Sequence, residues 1–90
     1  MVESRSTIAT ASGQRLIHRL CKHWSHKLEV DAERGLVVFE GGRCVMQAGD
    51  DTLDVRLDAD DAEVLERLKA VVANHLERMA GKEELIVAWG

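Results

Sequence analysis

The stretch Val37–Met46, VVFEGGRCVM, sets two glycines between two apolar runs. Gly41-Gly42 supplies the two positive φ values of a tight two-residue hairpin. With those glycines as the loop, Glu40 faces Arg43, Phe39 faces Cys44 and Val37 faces Met46. Cross-strand partners share one face of a sheet. Working outward, AGDDTL closes a four-residue loop that sets Ala48 opposite Leu53, Met46 opposite Val55 and Cys44 opposite Leu57. Upstream, DAERGL turns with Gly35 left-handed, which sets Val30 opposite Val37 and Leu28 opposite Phe39. The three turns place one set inward: Leu28, Val30, Val37, Phe39, Cys44, Met46, Ala48, Leu53, Val55 and Leu57. A one-residue slip would scatter that set over both faces, so the agreement supports a meander of four strands.

Helices flank the meander. Leu16, Ile17, Leu20, Cys21 and Trp24 recur at helical spacing, and the spacing predicts a helix from about Gly13 to His26 with Ser12 as N-cap. Val64, Leu65, Leu68, Val71, Val72, His75, Leu76 and Met79 form a second stripe. Asp60 and Glu63 have capping-box spacing before it, and Gly81 stops it. A weak strand covers Arg5 to Thr10, and EELIVAWG reads as a closing strand. One-sided helices and a one-sided sheet imply a two-layer α+β sandwich. Its antiparallel sheet carries both helices on one face, in the order β-α-β-β-β-β-α-β. That order is similar to the half-repeat of TATA-binding-protein-like folds, a likeness of fold that carries no function.

Ninety residues make a single domain, 1–90. The net charge of −4 makes nucleic acid an unfavoured partner. It hides an asymmetry: Ser12–Lys27 holds four Lys/Arg and no acid, whereas Asp50–Glu66 holds eight acids and one arginine. No segment has the apolar length of a membrane span, and MVESRSTIATASG lacks the apolar run of a signal peptide. The expected location is the cytoplasm, where two cysteines are thiols.

RLCKHWSHK, Arg19–Lys27, is the densest chemical stretch. On a helix, Cys21 and His23 point about 200° apart, so the linear motif is not a ligand set. Cys21 turns inward, where Cys44 and His75 are its candidate company. Cys, Cys and His suit zinc or iron, or an imidazole-tuned thiol. The competing reading is ordinary packing, since free cysteine behaves as a small buried hydrophobe. His23 and His26, three apart, are spaced to share a surface metal with an outside ligand. Arg15, Arg19, Lys22, His23, His26 and Lys27 make a basic face suited to an anion or a partner. Leu36, Val38 and Val45, beside Gln47, Asp54 and Arg56, leave aliphatic surface on the outer sheet face, as a homodimer or partner contact would. Asp58, Asp60 and Asp61 are assigned to a helix N-terminus. No phosphate loop, Gly-x-Ser-x-Gly or nucleophile with an adjacent base is present, so no reaction is assigned and no cofactor is expected.

RLCKHWSHKLEV, GGRC and VVANHLERMAGKEELIVAW together resemble the bacterial domain-of-unknown-function family twenty-two eighteen. The family's runs fall on Leu20–His23, Gly42–Cys44 and His75–Glu77. The resemblance implies an association with siderophore-interacting flavoproteins and transfers no catalytic residue. The function expected is therefore a non-enzymatic accessory or binding module linked to iron–siderophore handling. Its partner would be a siderophore-related small molecule or protein. The alternative is a metal or thiol-redox protein using Cys21, Cys44 and His75.

Overall fold

The computed structural model describes residues Met1–Gly90. The chain runs β1 (Val2–Ala9), α1 (Gly13–Trp24), β2 (Glu29–Asp31), β3 (Leu36–Phe39), β4 (Gly42–Ala48), β5 (Thr52–Ala59) and α2 (Ala62–Ala80). All five strands form one antiparallel sheet in the order β1-β5-β4-β3-β2. Both helices cover one face of it, which is the α+β sandwich expected.

The β4–β5 register is the one read from the loop, with Ala48 opposite Leu53, Met46 opposite Val55 and Cys44 opposite Leu57. Val30 also lies opposite Val37 as expected. The GG hairpin differs. Its loop is Glu40-Gly41, so Val37 faces Cys44 and Phe39 faces Gly42. Gly41 alone has positive φ, +81°, the value a turn demands at its third position. Gly42 answers a different need. A Cβ there would meet the Asp58 carbonyl at 2.5 Å and Leu68 at 2.7 Å, so side-chain room and not φ fixes the residue. Moving the loop by one residue shifts the pairing by two, an even number, and the inward set survives intact.

The core is that set plus the two helix stripes. Leu16, Leu20, Val37, Cys44, Leu53, Leu57, Val72 and Leu76 are fully shielded from solvent. Each large aliphatic among them contributes about 1.5–3 kcal/mol by burial. Asp61, not Asp60, caps α2, its carboxylate accepting from the Val64 N–H at 2.9 Å. Ser12 makes no side-chain cap; its own N–H donates to Thr10 Oγ1 at 3.0 Å, and Thr10 in turn donates to Glu83. Asp58 belongs to the sheet's outer face, buried against Arg43 and Arg56, and not to the helix start.

The two terminal segments depart from expectation in opposite senses. β1 is longer than its sequence suggests, because its inward residues Ser4 and Ser6 are polar and hide the alternation. Glu84–Gly90 forms no strand, although it alternates like one, with Leu85 buried and Ile86 exposed. Only Gly90 is tied to the sheet, by paired backbone bonds to Arg5 of 2.8 and 3.2 Å. Ser4 Oγ also donates to the Gly90 carbonyl at 2.8 Å. One such pair does not make a ladder.

Candidate functional site

Helical geometry divides RLCKHWSHK as its spacing requires. Cys21 is buried in the α1 stripe, and Cys44 is buried beneath it on β4. Burial pushes both thiols up. Cys44 rises to about 12, with the nearby Cys21 thiol adding to the effect. Cys21 is raised by burial first and by the Asp31 carboxylate second. Thiolate chemistry needs the opposite environment, exposed and electropositive. His75 does not join the cysteines. No three histidine, cysteine, aspartate or glutamate side chains converge in a geometry that holds a metal. Cys21 and Cys44 both lie in the buried core cluster.

His75 sits at the flank of the α2 stripe, half-buried, and turns toward α1. Its ring centre lies 4.9 Å from that of Trp24 and 5.2 Å from that of His23. Trp24 meets Phe39 edge-on at 5.1 Å, and so backs this group from the core side. His75 Nδ1 lies 2.7 Å from the Val71 carbonyl, one helical turn earlier. A carbonyl only accepts, so Nδ1 carries the proton, and the neutral ring keeps its lone pair on Nε2. His26 lies past the end of α1, exposed, and the contact His23 makes is with His75.

The outward face of α1 is basic as expected. Arg15, Arg19, Lys22, His23, His26 and Lys27 are all exposed. The ion pairs of the protein lie elsewhere, on Arg5, Arg34, Arg43, Arg56 and Lys69. Arg19 reaches across to donate to the Met79 carbonyl at 3.0 Å. In a domain of net charge −4, this leaves the α1 cations unneutralised by any carboxylate within bonding range.

The outer sheet face is bare of helices. Leu36, Val38 and Val45 are half-buried there. The pairing lines up one row across the sheet: Arg5, Arg56, Val45, Leu36, Asp31. The row is basic at one end, aliphatic in the middle and acidic at the other.

Residues 5–90 match a family described as an uncharacterized protein conserved in bacteria, DUF2218. The chain belongs to this family. A solved structure is similar over the whole chain. The NMR structure of PA4090 from Pseudomonas aeruginosa is 40% identical, covers 100% of this chain and 96% of its own, and superposes with a TM-score of 0.81. No curated protein matches. No helix is long and apolar enough to cross a membrane.

Neither cysteine pairing nor metal spacing along the chain pointed to the His23–His75 contact. The two residues are far apart in sequence, and only the crossing of α1 over α2 joins them.

Proposed function

We propose that this DUF2218 domain is a non-enzymatic accessory module that binds an anionic ligand on the exposed face of α1. One observation carries the reading: the α1 cations have no carboxylate partners in an otherwise acidic domain. Surface charges left unpaired attract opposite charge and are screened by salt. A ferric chelate that keeps negative charge fits such a face, and iron–siderophore handling is the setting that the family resemblance implies. The test is thermal unfolding with an anionic ferric tris-catecholate and with an uncharged ferric hydroxamate. The anionic chelate should stabilise the domain, less so in high salt, and Arg15→Glu with Lys22→Glu should remove the effect. Equal or absent responses to both chelates would overturn the reading.

A second surface supports a second reading, association with another copy. A copy laid face to face on the open sheet, about a two-fold axis running between β3 and β4, inverts the row and sets Asp31 over Arg56 and Leu36 over Val45. The pairs that Arg5 and Asp31 make at home, with Glu3 and Arg34, join exposed side chains, are worth little and exchange readily, whereas Arg56 also holds the buried Asp58. Light scattering after size exclusion should give a dimer that Leu36→Asp converts to monomer. A monomer at high protein concentration would rule this out.

A further inference from the structure

The geometry points to His23 and His75 as an open, two-donor site for a divalent transition metal of the imidazole-favouring class, such as Ni²⁺, Cu²⁺ or Zn²⁺. The inference shares His23 with the basic face of α1 but does not rest on the anion reading, since it is argued from the contact with His75 on α2. Four observations converge on it.

The first is spacing. With metal–nitrogen bonds of about 2.1 Å and a tetrahedral angle at the ion, two bound imidazoles place their ring centres roughly 5 Å apart. The rings of His23 and His75 are 5.2 Å apart with planes tilted by 50°. The rings are therefore tilted and not stacked face to face, a relation that two imidazoles on one tetrahedral ion can also adopt.

The second is the tautomer. Metal-binding histidines commonly donate the other ring N–H to a carbonyl or carboxylate, which orients the ring and raises its basicity. His75 does this through Nδ1 and the Val71 carbonyl at 2.7 Å. Its Nε2 lone pair is thereby presented and not consumed.

The third is rigidity. His75 packs on Trp24, and Trp24 on Phe39. His23 meets the same Trp24 edge-on at 6.2 Å. The two imidazoles come from two different helices held by a shared aromatic wall, so part of their rotamer freedom is already lost before a metal arrives.

The fourth is access. His23 is exposed and His75 half-buried. A shallow open depression of about 580 Å³ lies on the Val71, Asn74, Glu77 and Arg78 side of His75 and does not include His23, so access to the pair rests on the exposed His23 ring. With only two protein donors, at least two coordination positions face outward, for water or for the donors of a bound molecule. Two protein donors are one fewer than a catalytic zinc site holds and two fewer than a structural cage, so the ion binds exchangeably and takes its other ligands from water or a bound molecule. Imidazole selects the later first-row ions, with Cu²⁺ the tightest; Mg²⁺ and Ca²⁺, which want oxygen, are excluded.

The experiment uses tag-free, chelator-treated protein carrying Trp89→Phe, so that Trp24 is the one fluorophore. Titration with Ni²⁺ or Cu²⁺ should quench Trp24 saturably at one ion per chain, and Zn²⁺ should raise the unfolding temperature. His23→Ala and His75→Gln should each abolish both responses, whereas His26→Ala and His18→Ala should keep them. His23 is exposed, so its variant folds whatever His75→Gln does. Mg²⁺ should leave both signals unchanged. Absence of a saturable response, binding that survives His23→Ala, or binding removed by His26→Ala would each overturn the assignment.

Discussion

Cys21 with Cys44, and His23 with His75, are two pairs built the same way. Each joins a residue of α1 to a residue of a distant element. Their fates differ because Cys21 and His23 stand two positions apart on a helix and point to opposite sides. The thiols meet in the core, where burial raises both and holds them protonated. The imidazoles meet at the seam between the helices, where one ring is fixed by a carbonyl and the other reaches solvent. Residue type supplied chemical capacity to both pairs. Position on the helix decided which pair could use it.

The contrast breaks most severely if the core pair is given a charge. Cys44→Asp places a carboxylate where Cys44 has no exposed surface, and should cost about 3–5 kcal/mol, read as a lowered urea midpoint. An unchanged midpoint would mean that the thiol pocket is open to water after all. Next in size is the wall that separates the pairs. Trp24→Ala should cost about 3 kcal/mol or more, and should free the His75 ring, visible as loss of its distinct imidazole resonances by NMR. Third is alkaline titration. The native state holds the Cys44 proton more tightly than the unfolded chain does, at about 12 against 9.0. Its contribution is therefore intact below pH 9 and drains away above it, at about 1.4 kcal/mol per pH unit. The stability advantage of wild type over Cys44→Ala should shrink steadily between pH 9 and 11, and a constant gap would contradict it. The smallest effect is on the other pair. His23→Ala should change stability by less than about 0.5 kcal/mol while removing the metal response. A large destabilisation would make His23 a structural residue and erase the contrast.

Much of the architecture was legible because side-chain period carries it. Gly35 and Gly41 announced turns, and the inward set from Leu28 to Leu57 agreed across three of them. What misled was local. Gly41-Gly42 looked like one turn signal, but Gly42 is there to admit Asp58 and Leu68, a contact that only the folded layers reveal. β1 was underestimated because Ser4 and Ser6 occupy inward positions. The closing segment was overestimated because Leu85, Val87 and Trp89 alternate correctly without a neighbouring ladder to join. The site was legible only in parts. The basic face of α1 follows from a run of sequence with no acid in it. The His23–His75 contact depends on a helix crossing, which no linear spacing encodes.

The placement of β1 bears on the order in which the protein assembles. β2 to β5 are joined by short loops, and hairpins of that kind form within about 1–10 μs. β1 instead closes against β5 from the far end of the chain, with Ala9 opposite Thr52. Such non-local pairing comes late in folding. During synthesis at about 5–20 residues per second, the strand made first therefore waits seconds for its partner. Ser4 and Ser6, the serines that obscured it in the sequence, also make it a poor adhesive while it waits. With no proline in the chain, no slow isomerisation step lengthens that interval.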